Sequence, residues 1–123
     1  MMIDDTFLYD TYAIIEIING NPSYKLYSEK VAVINDFVFA ELCYKLLREK
    51  VKEADNFINE WAGAIVHADA KIIREAMQFR VNNKERRLTM TDCISYFMAK
   101  KLGIKFLTGD KEFENLENVE FVK

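Results

Sequence analysis

The stretch Leu88–Phe113, LTMTDCISYFMAKKLGIKFLTGDKEF, carries the pattern that decides the fold. Its first half reads as a helix that is apolar almost all round, through Cys93, Ile94, Tyr96, Phe97, Met98 and Ala99. That is the pattern of a helix buried on most of its faces. Lys100 and Lys101 fall in the last turn, and Gly103 follows Leu102. Cations suit the negative end of a helix, and glycine takes the left-handed backbone that ends one. Ile104–Leu107 is then a short strand, closed by the turn Thr108-Gly109-Asp110. Two acids frame the unit, Asp92 in the first helical turn and Asp110 just past the strand. Both are tethered to elements that the hydrophobic pattern buries.

Working outward, Thr6–Tyr9 is a strand that leads directly into a helix over Tyr12–Ile18, stopped at Asn19-Gly20-Asn21-Pro22. Ser23–Glu29 is a short helix and Val31–Ile34 a second strand, after which Asn35-Asp36 offers an N-cap for a helix over Phe37–Lys50. Glu53–Ala62 is amphipathic, with Ala54, Phe57, Ile58 and Trp61 on one face. Ala64–Val66 is a further strand candidate and Asp69–Arg80 a further helix, while Lys111–Leu116 and Val119–Val122 supply a last short helix and a closing strand. Strands and helices alternate without repeats or linkers. The expectation is one α/β domain over residues 1–123, with helices on both faces of a mainly parallel sheet of about five strands.

A chain of 123 residues suits a single domain with a real core. Half of it is hydrophobic, which argues against disorder. The net charge of -3 creates no general basic field, so a nucleic-acid partner would have to be met by local patches. Cys43 and Cys93 lie in apolar helical stretches without metal-ligand spacing, which points to reduced thiols. No apolar run approaches the ~18 residues of a membrane span. The N-terminus has no basic residue ahead of an apolar run, so the expectation is a soluble, cytoplasmic chain without a signal peptide.

In parallel sheets, ligands bind at the carboxyl ends of the strands. Asp10 follows the first strand and Asp110 the Ile104–Leu107 strand. Asp92 opens the helix that runs back into that strand, and so starts near the same edge. Glu41 lies in the second turn of the helix leaving Val31–Ile34, with Phe37, Val38, Tyr44 and Lys45 as its helical neighbours. Lys45 is the available surface partner for it. Each acid alone has an ordinary use as a cap or a helix-dipole partner; their joint placement on one edge is harder to ascribe to capping. Two carboxylates about 5 Å apart repel by ~3 kcal/mol at an effective dielectric near 20. Such a gathering calls for protons or a divalent cation, and oxygen donors without histidine or cysteine favour Mg²⁺ or Mn²⁺ over zinc.

Asp10-Thr11 after the first strand is similar to the opening of PIN-domain proteins. Phe37–Leu42, with Glu41, resembles their second acidic motif; Leu88–Ser95, with Asp92, resembles the third, and Leu107–Phe113, with Asp110, the fourth. In length and spacing the chain resembles the small VapC-type toxins. The resemblance implies a three-layer PIN-like domain and a metal-dependent endoribonuclease, with Asp10, Glu41, Asp92 and Asp110 as an acidic quartet around Mg²⁺ or Mn²⁺. It also implies cleavage of single-stranded or structured RNA to leave a 5′-phosphate, a homodimer, and often a small VapB-like antitoxin partner. Thr11 and Thr108 are next in line, as hydroxyls that orient the acids or a water. Lys84, Arg86 and Arg87 are candidate contacts for RNA phosphates, although a solvated loop explains them as well. Tyr24, Tyr27 and Trp61 are read as packing residues before base-stacking ones, and His67 is given no role. The competing class is a PIN-like module that binds RNA or protein without catalysis, which Mn²⁺ binding would separate from the enzyme. Phosphotransfer sites are set aside: a receiver-like one needs an acidic pair after the first strand, whereas Asp4-Asp5 precede it, and a haloacid-dehalogenase-like one needs Asp-x-Asp where this chain has Asp10-Thr11-Tyr12.

Overall fold

The computed structural model describes residues 5–123. Four strands form the sheet, β1 (Thr6–Tyr9), β2 (Val31–Val33), β3 (Lys105–Thr108) and β4 (Val119–Phe121), in the order β2-β1-β3-β4. All neighbours are parallel, with Leu8 opposite Val33 on one side and Phe106 on the other, and Leu107 opposite Glu120. Five α-helices cover it: α1 (Thr11–Ile18), α2 (Asp36–Arg48), α3 (Ala54–Ala62), α4 (Ala70–Asn82) and α5 (Met90–Leu102). Two 3₁₀ segments, Pro22–Glu29 and Lys111–Phe113, complete the described chain. No helix among the described residues is long and apolar enough to cross a membrane.

The layers follow from strand periodicity. Successive side chains point to opposite faces of a sheet. Leu8 and Phe106 accordingly join the core formed with α4 and α5, while Phe7, Tyr9 and Leu107 join the core formed with α1, α2 and α3. Both faces are buried, hence near-continuous apolar strands such as Phe7-Leu8-Tyr9. The arrangement is the expected three-layer α/β fold, with four strands in place of about five. Ala64–Val66 supplies only an isolated parallel bridge, Ile34 to Ile65. Little chain is left for a strand there, since α3 ends at Ala62 and Asp69 already caps α4.

The helix of the Leu88–Phe113 stretch is capped by Thr89, whose hydroxyl accepts from the Asp92 amide at 3.1 Å, and ends at Gly103 with φ 72°. It buries Cys93, Ile94, Ser95, Tyr96, Met98 and Ala99. One polar tie crosses from it to α2: Asn35, fully buried, donates to Ser95 Oγ at 3.1 Å while its Oδ1 accepts from the Phe37 and Val38 amides. The start of α2 is thereby fastened to α5. Tyr24, Tyr27 and Trp61 are packed, as expected, with Tyr9 and Trp61 rings 5.5 Å apart.

Candidate active site

The chain runs from β1 outward to β2 on one side, then returns to lay β3 on the other. A crevice forms at such a reversal, beyond the carboxyl ends of the strands. Here it is a cleft of about 650 Å³, and its lining includes Asp10, Glu41, Asp92 and Asp110. The four acids expected from the sequence are brought to one place.

Asp10 is held most firmly. Its amide continues the sheet by donating to Leu107 O at 3.0 Å, and its side chain caps α1, Oδ1 accepting from the Ala13 amide at 2.7 Å. Oδ2 accepts from the Thr108 hydroxyl. That hydroxyl in turn accepts from the Asp110 amide at 3.1 Å, so Thr108 joins the two acids across the β1–β3 edge. Asp110 Oδ1 caps the last 3₁₀ segment through the Glu112 amide at 3.0 Å. Glu41 Oε1 accepts from the Thr11 hydroxyl at 2.8 Å. Both threonines therefore orient acids, and Asp10 and Asp110 also do the capping that either could have done alone.

Electrostatics separates this cluster from ordinary caps. Burial pushes the Asp10 carboxyl up to about 7; the bonds from Thr108 and Ala13 and the charge of Lys45 only partly oppose this, and Asp110 adds to it. Burial also raises Asp92 to about 7, with the charges of Asp10, Asp110 and Glu41 adding to the shift and Thr89 opposing it. Two acids are thus poised near neutrality, where each gains or sheds a proton readily. Perturbed carboxyls in a cleft are a recurrent mark of functional sites.

The donor set suits a hard cation, because every candidate ligand atom is a carboxylate oxygen. Each oxygen has two lone pairs, so those of Asp10 keep acceptor capacity beyond their hydrogen bonds. Among the described residues, no three histidine, cysteine, aspartate or glutamate side chains stand close enough to cage an ion. Mg²⁺ keeps several waters and commonly takes only one or two carboxylates directly. The acids therefore fit a hydrated ion and do not form an all-protein cage.

Several features of the cleft were given no part in the site by the sequence. Gly109 is required by close approach: a Cβ there would lie 2.4 Å from Tyr12 Cε1 and 2.8 Å from Val122 O. Lys45, the available surface partner, lines the cleft but makes no ion pair with Glu41 among the described residues; Glu41 accepts a hydrogen bond from Thr11. Tyr44 and Lys123 also line it. The helical spacing of Tyr44 and Lys45 from Glu41 was the available signal.

The basic connection sits elsewhere. Arg86 Nε lies 3.1 Å from Glu112 Oε1, and its guanidinium also donates to the Glu112 carbonyl. Lys84 and Arg86 line a separate cavity with Arg80, and Arg87 is exposed. Arg86 braces the turn that carries Asp110, through two of its five N–H donors. His67, exposed, meets Asp36 at 2.9 Å.

A family model described as the PIN domain matches residues 7–119. The chain belongs to the PIN-domain family. Among curated proteins, none matches it in sequence. Solved structures share its fold: a toxin–antitoxin complex from Klebsiella pneumoniae has a TM-score of 0.76 at 18% identity, covering 93% of this chain and 95% of that one. The Mycobacterium tuberculosis toxin VapC20, described as cleaving the sarcin–ricin loop, has a TM-score of 0.73 at 20% identity over 95% of this chain and 99% of its own. VapBC2 from Rickettsia felis, bound to a promoter DNA fragment, has a TM-score of 0.73 at 20% identity over 96% and 99%. At these identities the likeness speaks to the PIN fold alone.

Proposed function

We propose that this PIN-domain chain is a Mg²⁺- or Mn²⁺-dependent endoribonuclease, acting in the cytoplasm as the toxin of a toxin–antitoxin pair, with a homodimeric assembly and a small VapB-like antitoxin. The observation that carries the reading is the cleft itself: acids from separate stretches line it, and two of them are pushed up to about 7. Membership of a nuclease family supports it, as does the fold shared with toxin structures.

In this reading Asp10, Asp92 and Asp110 would hold a hydrated ion, partly through its waters, and Glu41 would bind it or orient a water. A divalent ion bound there would lower the pKa of water and offset the charge that builds on a phosphodiester. Asp10 and Asp92, both raised to about 7, would have to lose any bound proton to serve a cation there. Thr108 keeps Asp10 and Asp110 in register, and Thr11 holds Glu41 toward the cleft. Because these bonds exist before any ligand binds, little reorganisation is needed when one does.

Asp10→Asn is expected to abolish Mg²⁺-dependent cleavage of single-stranded RNA while the far-UV circular dichroism stays that of the parent. Undiminished cleavage by the variant would sink the reading. The alternative is a PIN-like module that binds RNA or protein without catalysis. Failure of the parent to bind Mn²⁺ would turn the assignment that way.

A further inference from the structure

Beside the acids, the cleft opens onto the outer face of α2. Tyr44 and Lys45 both line it, one turn beyond Glu41. Tyr44 is 62% exposed, a large ring left in solvent where a core position would bury it. The Arg48 guanidinium sits over that ring, 5.1 Å from its centroid, and pairs with Glu49 at 2.8 Å. Lys45 has no ion pair among the described residues. The carboxylate one turn before it is the usual helical partner of a lysine, but Glu41 instead takes a hydrogen bond from Thr11. An ammonium without an ion pair among the described residues thus faces a cleft lined by carboxylates, next to an exposed aromatic ring.

Bases of single-stranded nucleic acid stack on aromatic side chains while cations follow the backbone. We infer that Tyr44 and Lys45 form the track that holds single-stranded RNA at the mouth of the cleft, with a base stacked on Tyr44 and a neighbouring phosphate met by Lys45. The assignment rests on the ribonuclease reading and names where its substrate lies. It moves RNA contact away from Lys84–Arg87, none of which is in the lining of the cleft. The charges suit a polyanion: on this face the lysine offsets the acids that would otherwise repel a phosphodiester. The same face carries exposed Leu47, which would serve a protein partner better than RNA.

The test is binding of a short, fluorescein-labelled, unstructured oligoribonucleotide to the Asp10→Asn protein, which is expected not to cleave it, read by anisotropy over a salt series. Adding Tyr44→Ala should weaken binding about 10-fold, the usual scale for loss of one base–aromatic stack. Adding Lys45→Gln should weaken it and reduce the slope of log affinity against log salt by about 0.7, the value for one phosphate contact on a single strand. Lys45→Arg should restore both, and Lys71→Gln, an exposed lysine on α4 across the sheet, should leave both unchanged. Binding of the Tyr44 and Lys45 variants equal to that of the Asp10→Asn protein overturns the inference alone, and leaves the α2 face to a protein partner. No binding by the Asp10→Asn protein at any salt, with its fold intact, overturns the inference together with the ribonuclease reading.

Discussion

Two turns of this molecule occupy equivalent places. Asp10 follows β1 and caps α1; Asn35 follows β2 and caps α2. Both are buried, with exposures of 3% and 0%, and both accept backbone hydrogen bonds from the helix they begin. The difference is charge. Asn35 is neutral and satisfied within the protein, by Ser95 and by two amides. Asp10 does the same capping with a carboxyl that burial pushes up to about 7. A cap alone is served well by an amide, as the second turn demonstrates. Retaining a carboxyl in the first turn makes sense where the charge has a further use.

Exchanging the two residue types tests that contrast. The largest effect on stability is expected at Asp10. Its folded pKa is raised above the ordinary value of 3.8, so its contribution to stability is fully present below about pH 4 and is lost as pH rises through about 7. Metal-free Asp10→Asn protein should therefore match the parent near pH 4 and exceed it at pH 8, by up to about 4 kcal/mol for a shift of this size. Urea melts at the two pH values check this, and a parent more stable than the variant at pH 8 would break the comparison. The converse exchange, Asn35→Asp, puts a charge at a fully buried position and loses the hydrogen bond donated to Ser95; destabilisation of about 3 kcal/mol is expected at neutral pH.

A smaller effect distinguishes bracing from capping. Arg86→Lys loses the paired hydrogen bonds to Glu112, a partly exposed contact worth about 1 kcal/mol or less in stability. Because the Glu112 amide also holds Asp110, Mn²⁺ affinity should fall several-fold while the melting temperature barely moves. Unchanged affinity would make the pair a surface tie and nothing more.

The parts of this structure legible in the sequence are those that local chemistry dictates. Gly103 after two lysines, Asn35 before Phe37 and the apolar triplet Phe7-Leu8-Tyr9 each announce their element, and the rule that ligands gather at strand carboxyl ends brings the acids together. What escaped depends on distant partners. Glu41 pairs with Thr11 and not with its helical neighbour Lys45, and Arg86 pairs with Glu112 across 26 positions of sequence. Ala64–Val66 has strand composition, but forms a single bridge because the chain is already committed to the next helix cap. Gly109 reads as a turn glycine, whereas its real constraint is the ring of Tyr12 pressed against it.

The central claim, that these acids make a cation site, is tested most directly by titrating Mn²⁺ into the metal-free protein by calorimetry at pH 7, in buffers of different ionisation enthalpy. Because Asp10 and Asp92 are both raised to about 7, binding should release protons and its apparent enthalpy should depend on the buffer. Asp10→Asn should abolish the binding while keeping the fold. A parent that binds no Mn²⁺, or a variant that binds it as the parent does, would contradict the account.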